Sequence, residues 1–97
     1  MTAEEQAALE RLITIAKSDT GQSRRVANFL LAWWNATNNG GFDLTDLWAV
    51  DTAIADDMVT VIALVRRRHS YPDSFGYGAD FEEIVGLWRR PKRRARR

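Results

Sequence analysis

Cysteine is absent from all 97 residues, and histidine occurs once, at His69. Without cysteine there is no disulfide, no thiolate metal site and no cysteine nucleophile. That usage fits a reducing compartment. A single imidazole excludes a His-rich metal site. Ser70 beside His69 is not triad geometry, since side chains adjacent in sequence seldom face one another. Asp56 and Asp57, also adjacent, diverge on a helix and form no paired acid and base. GYGADF lacks the preceding strand that a phosphate-binding glycine loop requires. No apolar run approaches the ~20 residues of a membrane span. The amino terminus, MTAEEQAALE, is acidic and not signal-like. These absences lead us to expect a cytoplasmic, non-catalytic protein with no cofactor, no metal and no membrane association.

What is present is unevenly charged. Fourteen basic and thirteen acidic residues leave a net charge of +1. Seven of the basic ones, Arg89, Arg90, Lys92, Arg93, Arg94, Arg96 and Arg97, fall in the last nine positions. Residues 1–88 therefore carry a net −6, an acidic body ahead of a basic tail. The length suits one domain with a modest core, which four Trp and four Phe help to fill.

Hydrophobic periodicity is helical throughout. Thr2 and Glu5 have capping-box spacing, and Leu9, Leu12, Ile13 and Ala16 recur on one face of an amphipathic, outer helix. Residues 18–21 interrupt it. A second helix starts near Gln22 or Ser23, with Val26, Phe29, Leu30 and Trp33 in register and Leu31 and Trp34 widening the face. Asn38, Asn39, Gly40 and Gly41 end it. A short helix follows over Phe42–Trp48, capped by Asp43 or Thr45. The widest apolar arc belongs to Asp51–Arg68, where Ile54, Met58, Val61 and Val65 form a stripe flanked by Ala55, Ile62 and Leu64. Such a helix is expected to be central and covered by several neighbours. Pro72, Gly76 and Gly78 make HSYPDSFGYGA a loop, which Tyr71, Phe75 and Tyr77 should pack onto the body. A last helix, capped by Asp80, carries Phe81, Ile84, Val85 and Trp88 and stops at Pro91.

Two surfaces are candidates for function. Asp43, Asp46, Asp51, Asp56 and Asp57 lie in a stretch with no basic residue between Arg25 and Arg66. Such a surface suits a basic partner, although the stronger reading of Asp43, Asp46 and Asp51 is as helix caps and first-turn residues. Trp33 and Trp88 sit in apolar stripes and read as core, whereas Trp34 or Trp48 could be a contact anchor. The tail RRPKRRARR could bind nucleic acid through several phosphates, but with no interleaved aromatics or recognition motif a solubilising terminus, or one folded back on the acidic body, is the stronger reading.

The segments FLLAWWNATNNGGFDLTDLWAVDTAIADDM and YPDSFGYGADFEEIVGLW resemble a family of short, uncharacterised bacterial proteins. That family is a domain of unknown function carried on plasmids and integrative elements. The resemblance covers about residues 26–88. It implies a setting among the accessory genes of mobile DNA and assigns no chemistry to any residue.

The fold expected is all-α: a compact bundle of four main helices plus one short helix over residues 1–90, with a mobile basic tail at 91–97. The preferred function is non-catalytic binding of a protein partner through the acidic body, at Asp43, Asp46, Trp34, Trp48, Asp56 and Asp57. One concrete version is an inhibitor of a host defence complex. The alternative is a nucleic-acid-associated protein acting through the basic tail.

Overall fold

The computed structural model describes residues 1–90. Lys92, Arg93, Arg94, Arg96 and Arg97 lie outside the described residues. Four α-helices make up the body: α1 (Ala3–Ala16), α2 (Gly21–Asn39), α3 (Thr52–Arg67) and α4 (Gly78–Trp88). Short 3-10 helices at Leu44–Ala49 and Pro72–Phe75 join α2 to α3 and α3 to α4. No strand occurs among the described residues, and no helix there is long and apolar enough to cross a membrane.

α1 begins where its capping box predicts. The Thr2 hydroxyl accepts from the Glu5 amide at 3.0 Å, and the Glu5 carboxylate accepts from the Thr2 amide at 2.9 Å. Its apolar stripe is nevertheless no outer face. Ala8, Leu9, Leu12 and Ala16 are fully buried, and α1 packs against α2, α3 and α4. Small alanines beside the leucines let neighbours approach closely from more than one direction.

The expected centre moves accordingly. α3 packs chiefly on α1, burying Met58, Val61 and Leu64, while Val65 is only half-buried. Val59 and Ile62 face solvent. The wide apolar arc thus has one covered side and one open side. Asp57 and Arg67 of α3 form paired hydrogen bonds with Arg11 and Glu5 of α1.

α2 brings Val26, Ala27, Phe29, Leu30 and Leu31 to the core. Asn35 leaves helical geometry with φ −165° and ψ 87°, and its side-chain oxygen accepts from the Asn38 amide, recapping the last turn. Gly40, at φ 92°, then ends the helix in a conformation that side chains disfavour. α4 buries Phe81 and Ile84. Phe81 meets Trp33 and Trp34 edge-on, with ring centroids 6.0 and 5.7 Å apart. The Trp88 indole donates to the Ala16 carbonyl at 2.7 Å, closing the bundle at the far end of α1.

Two expected caps have other partners. Asp51 precedes α3 but makes no side-chain cap; its carboxylate and amide both pair with Gln22 of α2. Asp80 lies in the first turn of α4, which begins two residues earlier, and its carboxylate binds Lys17, the C-cap residue of α1, at 2.6 Å. The expected loop is also more regular than its composition suggests. Pro72 sits in the first turn of a 3-10 helix, where its missing N–H costs nothing, and Gly76 closes that helix in the left-handed region. Phe75 lies near Trp33 and under the Arg68 guanidinium, and Tyr77 donates to Glu10 at 2.7 Å. Burial first, and then this carboxylate, push the Tyr77 hydroxyl up to about 12. Tyr71 departs from the expectation and stays 61% exposed.

Leu12→Ala should lower unfolding free energy by about 2–5 kcal/mol, since it opens a cavity shared by several helices, whereas Leu44→Ala at an exposed site should change it by less than ~0.5 kcal/mol. Urea denaturation checks both. The α1–α3 contact also predicts a pH dependence. Hydrogen bonds from Arg67 and from the Thr2 amide lower the Glu5 carboxyl from 4.5 to about 2. A lowered acid pKa contributes stability that is complete above 4.5 and lost as pH falls toward about 2. Glu5→Gln should therefore be less stable than wild type at neutral pH, with the gap narrowing through that window. A gap that is the same at pH 7 and pH 2.5 would contradict the assignment.

Candidate interaction surface

The segment between α2 and α3 is held from below and bare above. Phe42 packs edge-on against Phe29 at 5.2 Å, and Leu47 and Val50 are half-buried against the core. Asp43 accepts from both the amide and the hydroxyl of Thr45, which starts the 3-10 helix and lowers the pKa of its own carboxyl. Asp46 meets Arg25 of α2 at 3.4 Å, and the Asp51 amide donates to Gln22 at 2.6 Å. Leu47 and, just past the end of the 3-10 helix, Val50 turn partly inward, whereas Leu44, Thr45, Trp48 and Ala49 are exposed.

Trp48 is 84% exposed, the most of any large apolar residue among the described residues, and Leu44 is 67% exposed. A large indole left in water on an anchored backbone presents apolar area at little conformational cost. Of the two tryptophans singled out as anchors, Trp48 is open. Trp34 is half-buried against Phe81 and packed on the core. Trp34 also lines a groove of about 290 Å³ with Asn35, Asn38, Asn39, Glu82 and Val85. Trp33 and Trp88 pack on the core, each with its indole N–H on a backbone carbonyl.

The carboxylates are less available than their spacing suggests. Asp43 caps, Asp46 meets Arg25, and Asp57 binds Arg11 through two hydrogen bonds of 2.9 Å. Asp56 is exposed, and its side chain has no hydrogen-bond or salt-bridge partner among the described residues. The described body carries nine basic and thirteen acidic residues, a net −4. At the basic end, Arg89 donates to the Asn39 carbonyl and to Asn28, and Arg90 reaches Glu82 at 3.2 Å. Both are thus engaged with the body.

Among the described residues no three His, Cys, Asp or Glu side chains converge in a way that could hold a metal ion. His69 is exposed, with Nε2 3.2 Å from the Arg66 carbonyl at the end of α3. The arrangement offers contact area and a negative field.

A model of a family of unknown function, DUF7673, matches residues 6–89. The chain belongs to that family. No curated protein and no solved structure matches it. The match to DUF7673 runs from within α1 to the end of α4 and takes in both 3-10 segments.

The two tryptophans should respond differently to truncation. Trp48→Ala should leave stability within ~0.5 kcal/mol of wild type, because its side chain supports nothing. Trp34→Ala should lower it by at least about 1 kcal/mol through the lost contact with Phe81. Thermal melts followed by circular dichroism would show a common transition for Trp48→Ala and wild type. Equal losses for the two variants would contradict the surface as described.

Proposed function

We propose that this DUF7673 protein is a non-catalytic interaction protein that binds a protein partner through its folded body, with Leu44–Ala49 as the contact segment. The observation that carries this reading is Trp48, 84% exposed on a backbone fixed from below by Asp46–Arg25 and Gln22–Asp51. Tryptophan is strongly enriched among residues that dominate binding energy, and a fixed backbone reduces the entropy lost on docking. Leu44, 67% exposed in the same segment, adds apolar area. The net −4 body and the unpaired Asp56 favour a partner of basic surface, with charge acting mainly on encounter rate. The setting proposed is the bacterial cytoplasm, among accessory genes of mobile DNA, where an inhibitor of a host defence complex is one concrete form.

The test is an affinity capture from lysate of the source organism, treated with nuclease, using wild type and Trp48→Ala in parallel. A protein retained by wild type should be lost by the variant, with affinity falling about 30-fold for an anchor worth about 2 kcal/mol. Binding unaffected by Trp48→Ala would overturn the assigned surface. Binding abolished by nuclease would replace it with nucleic-acid association through the basic carboxy-terminal residues.

A further inference from the structure

α3 has two apolar faces, and the fold covers one. Asp57, Val61, Leu64 and Arg67 lie toward α1, joined by Arg11–Asp57 and Arg67–Glu5. On the other side Ala55, Val59, Ile62 and Ala63 recur at helical spacing. Val59 is 55% and Ile62 40% exposed, and Ala63 is exposed as well. A helix with a single buried face normally carries polar residues there. Here two β-branched residues occupy the middle of the open face.

The charges around that face indicate what covers it. Asp56 stands toward the amino-terminal end and Arg66 toward the carboxy-terminal end. Neither side chain has a salt-bridge partner among the described residues, although their sequence neighbours Asp57 and Arg67 are both paired. The midpoint of the patch lies between Val59 and Ile62. Turning a second α3 end for end about that midpoint sets Val59 against Ile62 and brings Arg66 to the Ala55–Asp56 end of the other helix. The face is complementary to itself when antiparallel. In a parallel pair Asp56 would meet Asp56 and Arg66 would meet Arg66, which is repulsive at both ends.

We propose that the outward face of α3 is the interface with a second copy of this chain, the two helices packed antiparallel about a two-fold axis. Such an interface is isologous, each contact occurring twice. The small side chains of Ala55 and Ala63 flank Val59 and Ile62 and allow the axes to approach. One 16-residue helix from each copy gives an interface at the small end of specific assemblies, so the dimer should be reversible, with a dissociation constant in the micromolar range. This surface is separate from Trp48 and independent of the partner proposed above.

Sedimentation equilibrium of the full chain over roughly 1–300 μM brackets that affinity. The mass should rise with concentration from 11.1 kDa toward twice that value. Val59→Asp and Ile62→Lys should each remain near the monomer mass while keeping the helical circular dichroism of wild type, since both positions face solvent. Asp56→Arg alone and Arg66→Asp alone should each dimerise at least tenfold more weakly. An equimolar mixture of the two should recover dimer, because each variant then presents the charge that the other lacks. Wild type at monomer mass throughout would overturn the proposal. So would dimerisation of folded Val59→Asp and Ile62→Lys at wild-type strength, or failure of the charge-swapped mixture to recover dimer.

Discussion

Leu9 and Leu12 have no exposure because α1 is contacted from three directions, and the other helices take their places from it. α2 lies along one side and α3 along another, while Trp88 of α4 reaches the carbonyl of Ala16 at its end. The hydrogen-bond partners that α1 finds in α3 and α4 are 46 to 72 residues away in sequence. No pair of sequence-adjacent helices could supply this core alone. Without α1, α3 would lose its main neighbour and the buried side of Met58, Val61 and Leu64 would meet water. Most of the hydrophobic driving force thus depends on the first element of the chain.

Charge fixes how those helices sit on α1. Arg11 and Glu5 grip Asp57 and Arg67 on α3, and Lys17 lies between Asp80 and Glu83 at the start of α4, 2.6 and 3.1 Å away. Hydrogen bonding to Asp80 raises the Lys17 pKa against the opposing effect of desolvation, and the hydrogen bond to Glu83 adds a smaller rise. In each pair one partner is at least partly exposed, so solvent screening and the entropy cost of ordering long side chains limit the net stability gained, least so at the buried Glu5. Their geometry is nevertheless directional. Shifting α3 along α1 by one turn would separate both guanidinium–carboxylate pairs while leaving much apolar contact in place.

Helix existence was legible from the sequence, because i, i+3, i+4 spacing reports which side of a segment is apolar. The Thr2–Glu5 box and the Asn38–Gly41 stop marked ends correctly for the same local reason. What covers an apolar side is a long-range fact, and periodicity carries none of it. Val59 and Ile62 look no different from Val61 and Leu64 until α1 is in place, so α3 read as central and α1 as outer. Pro72 misled in another way: it excludes a helix interior but suits the first turn of a 3-10 helix. The candidate site divided along similar lines. Trp48 could be singled out as outside the apolar stripes. The loss of Asp46 and Asp57 to Arg25 and Arg11 depended on partners 21 and 46 residues away.

The two open surfaces gain meaning together. A lone exposed apolar residue is ordinary, since more than half of a typical protein surface is apolar. Val59 and Ile62 share one helical face, however, and a charged residue at either position would disturb no core contact. Should α3 pair two copies, each dimer presents two Trp48 segments related by the same two-fold axis. A partner that is itself two-fold symmetric, or that repeats its binding epitope, then meets both in one event. The second contact forms at the effective concentration set by the rigid dimer rather than by bulk solution. Each Trp48 contact is small, with one indole and Leu44 of the same segment as its apolar centre. Pairing through α3 gives such a contact a way to become tight without enlarging the 97-residue chain.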